Sequence, residues 1–355
     1  MLMNHIIKED LEKIAKSIEG ESEKLSGKTL LISGGSGFLG SYIIGVISIL
    51  NQRILKTPCH VVSIDNFITG SRKNSSEENN GPNISRKEAD VSKPIIIDQP
   101  VDYIIHAAGL ASPVYYQKFP LETIETTIIG VKNLLELSRK NPNFKSFLFF
   151  SSSEIYGDPT PENIPTPESY RGNVSSIGPR SCYDESKRLA ETICITYHRI
   201  YQTPVKIVRP FNVYGPGMKS NDYRVVPNFI AKGMAKEPLP VHDKGSQTRT
   251  FCYISDAVTG FFKVLLSEKN GEIYNVGTDK EEINMFDLAR IVADAFTPPA
   301  SIQLIKYPDN YPADEPRRRC PDISKIKQIG YQPQVDLKAG LSRTVQWFGE
   351  TMSNN

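Results

Sequence analysis

Short apolar runs recur along the first two thirds of the chain, with longer stretches of helical spacing between several of them. The runs cover residues 29 to 33, 61 to 64, 103 to 106, 146 to 150 and 205 to 208 and predict buried strands. Helices are predicted at 38 to 50, 121 to 139 and 184 to 201. Strands that alternate with helices form parallel sheets covered on both faces, so the pattern predicts an α/β fold.

The two ends of the chain depart from this alternation. Residues 1 to 26 form an amphipathic, helical extension, which we interpret as a packing or dimer-edge helix. Residues 27 to 212 hold the predicted main domain. Residues 213 to 355 are less regular and richer in Pro and Gly, which predicts a smaller ligand-binding lobe with some segments returning to the main domain. Residues 71 to 83 predict a solvated loop.

Composition limits the partners of the chain. Of 355 residues, 39% are apolar and 23% are charged, with a formal net charge of +2, so neither disorder nor non-specific nucleic-acid binding is indicated. The apolar runs are too short to span a bilayer, and the amino terminus lacks a signal-peptide pattern. We therefore expect no membrane partner and a cytoplasmic protein. The five scattered cysteines predict reduced thiols, with no disulfide framework and no metal site.

A glycine-rich turn joins the first predicted strand to the first predicted helix. Gly34, Gly37 and Gly40 stand where such a turn lets the backbone approach a pyrophosphate at a helix N-terminus. Asp65 ends the next strand, where a carboxylate binds a ribose diol and repels a 2′-phosphate. This order predicts a Rossmann-type doubly wound sheet that binds NAD rather than NADP, with a smaller C-terminal α/β lobe. A tight turn with a strand-end aspartate is the alternative.

Further cofactor contacts are predicted beside these two signals. Three of them are neighbours of the glycines and of Asp65, namely Phe38, Leu39 and Asn66. The others lie in a turn after a charged stretch (Asp90 and Val91) and in a segment of small residues (Ala107, Ala108 and Gly109). Small side chains at 107 to 109 would let a cofactor pass close to the backbone. An ordinary turn at 90 to 91 and simple packing at 107 to 109 explain these residues nearly as well.

Tyr183 and Lys187 are four residues apart, so a helix would put both on one face, about one turn apart. A positive charge beside a phenol favours the phenolate, so the pair predicts a base with the pKa of Tyr183 brought down toward neutrality. Such a base removes a hydroxyl proton as a hydride leaves the same carbon, and Lys187 would also bind the nicotinamide ribose. Ser152 or Ser153 could share the substrate hydroxyl. A surface Tyr and Lys is the alternative for the pair alone.

Longer motifs carry a resemblance to a known family. They lie at residues 34 to 40 (GGSGFLG), 153 to 159 (SEIYGDP), 177 to 188 (IGPRSCYDESKR), 209 to 216 (RPFNVYGP), 247 to 251 (QTRTF) and 319 to 323 (RCPDI). Over roughly residues 28 to 350 the chain resembles the extended short-chain dehydrogenases/reductases that act on nucleotide sugars. Within them it is most similar to the UDP-glucuronic acid decarboxylases, also called UDP-xylose synthases.

Ser153 and Glu154 discriminate within this superfamily. The resembling 4-epimerases usually carry a small residue where Glu154 stands, and 4,6-dehydratases carry an Asp where Ser153 stands. The resemblance therefore implies a decarboxylase. In such an enzyme Tyr183 takes the C4 hydroxyl proton of UDP-glucuronate, NAD takes the hydride, the 4-keto acid loses CO2, and the hydride returns to give UDP-xylose.

The resemblance also implies roles for residues outside the Tyr, Ser and Lys set. Glu154 would position the sugar or handle a proton, and Arg319 would bind the carboxylate or assist reprotonation. Arg319 lies in a run of three arginines, however, and a solvated basic run is the alternative. Asn212, Arg249 and Arg224 would contact the nucleotide diphosphate, although a turn explains Asn212 nearly as well.

The chain also departs from the decarboxylase pattern. Gly217, Pro227 and Thr127 stand where the family commonly has Arg, Ser and Asn. A 4,6-dehydratase, a 5,6-dehydratase and a 4-epimerase therefore stay open, as does a non-catalytic NAD-binding interaction protein. The resemblance further implies a nucleotide-sugar substrate, with a UDP-sugar favoured, and a homodimer paired through the helices at 121 to 139 and 184 to 201.

Overall fold

The structure is a computed structural model that describes residues 4–70, 81–307 and 316–352. Its helices are α1 (His5–Ser17), α2 (Glu19–Ser22), α3 (Phe38–Arg53), α4 (Pro113–Lys118), α5 (Pro120–Ser138), α6 (Ser181–Tyr201), α7 (Val225–Met234), α8 (Ile254–Leu266), α9 (Met285–Ala293), α10 (Ser324–Lys327) and α11 (Leu337–Met352). Its strands are β1 (Thr29–Ser33), β2 (His60–Asp65), β3 (Ile84–Glu88), β4 (Tyr103–His106), β5 (Ser146–Phe150), β6 (Val205–Pro210), β7 (Val213–Tyr214), β8 (Leu239–His242), β9 (Thr248–Arg249), β10 (Cys252–Tyr253), β11 (Glu272–Val276), β12 (Ile283–Asn284), β13 (Ile302–Ile305) and β14 (Arg318–Arg319). Most of the loop predicted at 71 to 83 lies outside the described residues.

A seven-stranded parallel sheet forms the centre of the molecule, in the order β11-β6-β5-β4-β1-β2-β3. The five predicted strands are confirmed and occupy the adjacent positions from β6 to β2. The two outer strands escaped prediction, and β3 did so because most of its residues are polar and only partly buried. The strand order reverses between β1 and β4, and a doubly wound sheet binds its ligands in the crevice at such a reversal.

Helices cover both faces of the sheet, as the alternation predicts. The helices expected at 38 to 50, 121 to 139 and 184 to 201 are confirmed as α3, α5 and α6. Side chains alternate along each strand, so Leu30 and Ile32 join the core under α3 and α8, while Leu31 joins the core under α5 and α6. The fold is therefore the predicted α/β, Rossmann-type architecture.

The amino-terminal extension contributes a helix to this fold. The apolar stripe of α1 buries Leu11 and Ile14 against α3 and α8. Asp10 lies on the same side, where it accepts hydrogen bonds from the Tyr253 hydroxyl at 2.8 Å and from Arg343 Nη2 at 3.0 Å. The helix is thus joined to the body of the protein by both apolar packing and a buried polar cluster.

The chain after residue 213 builds smaller sheets and then returns to the central one. Strands β8 and β13 pair in parallel, and β12, β9 and β14 form a three-stranded sheet. In that sheet Arg319 lies beside Arg249. By contrast, β11 completes the central sheet next to β6 and α8 packs over β5 and β6.

Candidate active site

The turn between β1 and α3 is too closely packed for side chains. Gly34 has φ +78°, and a Cβ there would lie 2.7 Å from the Ala108 backbone nitrogen. A Cβ at Gly40 would lie 2.2 Å from the Gly34 carbonyl oxygen. Only glycine permits these approaches, which set the turn, the start of α3 and the loop after β4 against one another. The result is a backbone cradle of the kind that fits a pyrophosphate.

A cleft with an empty volume of about 520 Å³ lies against this turn. Its lining includes eight of the predicted cofactor residues, namely Gly34, Gly37, Asp65, Asn66, Val91, Ala107, Ala108 and Gly109. Gly70 and Thr126 also line it, although no pattern in the sequence indicated them. The structure thus brings the glycine turn, the end of β2 and the small residues after β4 together around one space.

Asp65 is held at the edge of this cleft by backbone donors. Its Oδ2 accepts a hydrogen bond from Ser36 N at 3.0 Å and its Oδ1 accepts one from Phe67 N at 2.8 Å. The carboxylate is therefore fixed in orientation at the end of β2, where a ribose diol would meet it.

The remaining predicted cofactor residues lie around the cleft rather than in its lining. Phe38, Leu39 and Gly40 form the first turn of α3. Asp90 closes its own turn, because its Oδ1 accepts hydrogen bonds from Ser92 N at 2.9 Å and Ser92 Oγ at 2.8 Å. Its neighbour Val91 is the member of that pair that faces the cleft.

Tyr183 lies in the first turn of α6 and is buried. Its ring stacks on Tyr116 with centroids 5.3 Å apart and 19° between the planes, and the Ser152 hydroxyl is one of its polar neighbours. Burial raises the pKa of Tyr183 above its ordinary value, against smaller opposing effects from Ser152 and nearby arginines. The expected lowering of this pKa is therefore wrong for the structure, because the cost of burying a phenolate exceeds the attraction of the nearby charges.

Lys187 lies one turn along α6 and is also buried. Its Nζ donates a hydrogen bond to the Phe150 carbonyl at 2.8 Å and lies 5.8 Å from the centre of the Tyr183 ring. Burial lowers the pKa of Lys187 to about 8. A Cβ on Gly109 would lie 3.4 Å from Nζ, so the cofactor cleft ends close to the lysine. Lys187 thus stands at one end of the cleft, one helical turn from Tyr183.

The two adjacent serines serve different neighbours. Ser152 opposes the rise in the pKa of Tyr183, and its Oγ accepts a hydrogen bond from Glu154 N at 3.2 Å, which caps the short 3-10 helix Ser153–Tyr156. Ser153 Oγ donates to Glu154 Oε1 at 3.5 Å. The sequence left the choice between the two serines open, and a role for either one toward a substrate stays a prediction.

Glu154 joins two arginines from distant parts of the chain. Arg319 Nη2 donates to Glu154 Oε2 at 2.6 Å, and Arg180 Nη2 donates to the same oxygen. Arg180 Nε also lies 3.5 Å from Asp184 Oδ2. All four side chains are at most 15% exposed, so the pairs are shielded from water.

The run of three arginines has one member that faces inward. Arg319 is 7% exposed and reaches Glu154, whereas Arg318 extends outward to Glu282, with Nε 2.6 Å from Oε1. Arg317 is exposed as well. Alternation along β14 accounts for the opposite directions of Arg318 and Arg319, because successive side chains of a strand point to opposite faces.

The three residues predicted to contact the diphosphate form hydrogen bonds or ion pairs with neighbouring protein groups. Arg249 Nη1 donates to the carbonyls of Thr248 at 2.8 Å and Arg317 at 3.0 Å. Asn212, at φ +41°, donates through Nδ2 to the Thr250 carbonyl at 2.8 Å. Arg224 Nε lies 3.0 Å from Asp222 Oδ1, and its charge acts on Tyr183. Contacts of these residues with a nucleotide stay a prediction.

Sequence reasoning missed Arg180, Asp184 and Tyr116, which surround Glu154 and Tyr183. One signal was available for Arg180. The residue immediately precedes α6, where the helix dipole disfavours a cation, so an arginine there indicates a specific anionic partner.

Neither a cluster of metal-binding side chains nor a membrane-spanning helix is found in the described ranges. No group of three or more His, Cys, Asp and Glu side chains in residues 4–70, 81–307 and 316–352 could hold a metal ion. Within the same ranges, no helix combines the length and the apolar character needed to cross a bilayer. The five cysteines are all free thiols.

Comparison with known proteins gives consistent results. The profile of the NAD dependent epimerase/dehydratase family matches residues 30–277. UDP-glucuronic acid decarboxylase 3 of Arabidopsis thaliana is 42% identical over 313 residues, which cover 88% of this chain and 86% of that protein. Among solved structures, an epimerase from Methanothermobacter thermautotrophicus has a TM-score of 0.81 at 26% identity, covering 95% of this chain and 96% of its own. UDP-glucuronic acid 4-epimerase from Bacillus cereus, in complex with UDP-glucuronic acid and NAD, has a TM-score of 0.75 at 26% identity, covering 91% and 99%.

Proposed function

The chain belongs to the NAD dependent epimerase/dehydratase family, and on that premise we propose that it converts UDP-glucuronate to UDP-xylose and CO2. One observation carries the choice of reaction. Arg319 pairs with Glu154, whose backbone nitrogen donates to Ser152 Oγ, and Ser152 is a polar neighbour of Tyr183, so these contacts support a buried guanidinium near the proposed base that could bind a substrate carboxylate.

The proposed chemistry begins at the sugar C4. The cradle of Gly34, Gly37 and Gly40 would hold NAD, which when bound would supply the hydride acceptor for C4 and the hydride for its later reduction. Tyr183 accepts the C4 hydroxyl proton, and the Ser152 hydroxyl shares the oxygen. The Lys187 ammonium favours the phenolate through its charge and is close enough to the cleft to bind the nicotinamide ribose.

Carbon dioxide then leaves because the C6 carboxylate is β to the new ketone. The electrons of the broken C5–C6 bond pass to the C4 oxygen as an enolate, which Tyr183 and Ser152 would stabilise by hydrogen bonding. A proton that comes ultimately from water is added at C5, and we assign Glu154 and Arg319 to the positioning of the carboxylate and to this reprotonation. Tyr183 then returns its proton to the C4 oxygen as C4 is reduced. Asn212, Arg224 and Arg249 are proposed to hold the diphosphate. The whole sequence leaves NAD unchanged.

Ser153 supports decarboxylation over dehydration. Loss of water from C6 needs an acid beside the leaving hydroxyl, and a serine hydroxyl is a poor proton donor. Its observed role as a donor to Glu154 Oε1 is consistent with positioning instead. A 4,6-dehydratase, a 5,6-dehydratase or a 4-epimerase would use the same first step but would not release CO2.

The test is to offer the protein UDP-glucuronate, UDP-glucose, UDP-N-acetylglucosamine and dTDP-glucose separately with NAD. We expect CO2 and a UDP-pentose from UDP-glucuronate alone, identified by NMR and mass spectrometry. Loss of water or inversion at C4 from any of these would identify one of the rival reactions. Absence of turnover of all four, with NAD still bound, would favour an NAD-binding interaction protein.

We propose also that the protein is a homodimer paired through α5 and α6. Exposed apolar side chains on these adjacent helices support this, since Leu121 is 70% and Leu189 is 50% exposed. Leu189→Asp should shift the mass measured by light scattering from dimer to monomer. Leu304→Asp, at an apolar residue 56% exposed on β13, is the matched control. A monomeric unmodified protein would contradict the proposal.

Two further proposals concern organisation and compartment. Residues 27 to 212 are proposed as the NAD-binding domain and 213 to 355 as the substrate lobe, supported by the position of the glycine cradle in the first and of Arg249 and Arg319 in the second. The five free thiols support a reducing compartment such as the cytoplasm.

A further inference from the structure

We propose that Arg180 is the residue that lets this site accept a sugar carboxylate, because it keeps Glu154 and Asp184 neutralised while Arg319 binds the substrate. This inference rests on the proposed function and names a specificity-determining, positioning role within the same site. Arg180 does not need to touch the substrate for this role.

The contacts of Arg180 place it between two carboxylates. Its Nη2 donates to Glu154 Oε2 and its Nε lies 3.5 Å from Asp184 Oδ2. The guanidinium carbon lies 6.0 Å from the centre of the Tyr116 ring, which itself stacks on Tyr183. Arg180 is 4% exposed, so these interactions are little weakened by water.

Both arginines offset the negative charge of Glu154 in this cluster. Glu154 and Asp184 contribute two negative charges, and Arg180 and Arg319 contribute two positive charges. Glu154 Oε2 is shared, since Arg180 and Arg319 both donate to it. One arginine can therefore turn to a new anion while the other still holds Glu154.

Arg319 is the arginine that can make this exchange. It lies on β14 in the second lobe, whereas Arg180 is held beside Asp184 at the start of α6. When a substrate carboxylate enters, Arg319 would pair with it, and Arg180 would remain on Glu154 and Asp184. Without Arg180, this buried space would hold one positive charge fewer beside Glu154, Asp184 and the substrate carboxylate, which is unfavourable.

This arrangement predicts that loss of Arg180 weakens binding of a carboxylated sugar nucleotide selectively. The experiment uses the Tyr183→Phe background, so that bound ligand is not consumed, and measures UDP-glucuronate and UDP-glucose binding by calorimetry. Arg180→Met should weaken UDP-glucuronate about tenfold or more and change UDP-glucose by less than about twofold. Arg180→Lys, which keeps the charge, should recover most of the lost affinity.

A double variant isolates the role of Glu154. In the Glu154→Gln background the cluster has one negative charge fewer, so Arg180→Met should cost UDP-glucuronate much less affinity than it does when Glu154 is present. Arg318→Met removes an arginine of the exposed pair with Glu282 and should leave both affinities unchanged. NAD affinity and the thermal midpoint of each variant show whether the fold is kept.

The outcomes separate this inference from the proposed function. Equal losses of both nucleotides in Arg180→Met and Arg180→Lys, or no loss of either, would overturn the role of Arg180. CO2 release by the unmodified protein is measured first. If it turns over UDP-glucuronate but Arg180→Met binds that ligand normally, the proposed function stands and the inference fails; if the unmodified protein releases no CO2, the proposed function itself fails.

Discussion

Arg319 Nη2 donates a hydrogen bond to Glu154 Oε2 at 2.6 Å although the two residues are 165 positions apart in the chain. Their side chains are 9% and 15% exposed. The contact joins the 3-10 helix after β5 to β14, so it forms only when both parts of the chain are folded. A buried ion pair costs much desolvation energy, so we infer that this charge pair is kept for the proposed function rather than for stability.

Arg319→Met should therefore lower turnover of UDP-glucuronate by about a hundredfold or more, because a buried guanidinium is lost both to Glu154 and to the substrate carboxylate. Steady-state CO2 release measures the effect. Arg317→Met, at an exposed arginine of the same run, is the matched control and should retain near-normal turnover. A fully active Arg319→Met variant would remove Arg319 from the proposed site.

Tyr183→Phe should reduce turnover by about 10²–10⁴-fold, the usual contribution of a positioned general base. The ring, and with it the stack on Tyr116, is kept, so NAD affinity and thermal stability should change little. Tyr201→Phe, near the other end of α6 and 47% exposed, is the control. Equal activity in the two variants would show that the phenol of Tyr183 is not the base.

The pH dependence follows from opposite protonation needs in Tyr183 and Lys187. The base must lose its proton, and burial raises the pKa of Tyr183, so the phenolate fraction grows about tenfold per pH unit across neutrality. The ammonium must keep its proton, and burial lowers the pKa of Lys187 to about 8. Above that pH the two effects cancel, so kcat/KM should rise up to about pH 8 and then level.

Lys187→Met tests this assignment through the shape of the profile rather than the size of the rate. Without the lysine, the remaining activity should be lower, but kcat/KM should keep rising past pH 8 because only the tyrosine titrates. Phe150 loses its donor in the variant, so thermal stability is checked in parallel. A break near pH 8 that persists in Lys187→Met would assign it to another group.

Gly34→Ala should abolish tight NAD binding and destabilise the fold. The added Cβ would lie 2.7 Å from the Ala108 nitrogen, and φ +78° is itself unfavourable for alanine. Gly20→Ala is the matched control, because a Cβ there meets nothing within 4 Å and lies in α2. That change should be neutral or stabilise by up to about 1 kcal/mol. NAD titration and thermal unfolding give both readings, and normal NAD affinity in Gly34→Ala would contradict the cradle.

Most of the central sheet could be predicted from the sequence, because the local apolar pattern of each strand matches its buried position in the fold. Strands β1 and β5 are short apolar runs between helices, and the glycine turn follows from backbone needs within a few residues. The short strands after residue 213 could not be predicted in this way, since β9 and β14 have two residues each and depend on partners far along the chain. The same reason hid Arg180, whose role depends on a carboxylate supplied by another element.

The direction of the Tyr183 pKa shift also could not be predicted from the sequence spacing of Tyr183 and Lys187. Tyr183 and Lys187 are one turn apart on α6, as predicted, but the pKa of Tyr183 depends on how completely the phenol is buried. Burial results from the stack with Tyr116 on α4 and the neighbouring core, and neither is visible in the local motif. A motif gives the partners of a charge, whereas the three-dimensional packing decides which influence is larger.

Asp10→Ala should destabilise the protein although Asp10 is far from the glycine cleft. The buried carboxylate accepts hydrogen bonds from Tyr253 at 2.8 Å and Arg343 at 3.0 Å, so the change leaves a hydroxyl and a guanidinium without this acceptor. We expect a loss of about 1–3 kcal/mol in the free energy of unfolding. Burial raises the pKa of Asp10, so the neutral Asp10→Asn should cost less than alanine. Denaturant unfolding measures both. The control is Glu12→Ala, also on α1, which breaks an exposed pair with Arg53 of α3 and should cost less than about 1 kcal/mol. If Asp10→Ala and Glu12→Ala proved equally mild, the buried polar cluster would not be what holds α1 in place.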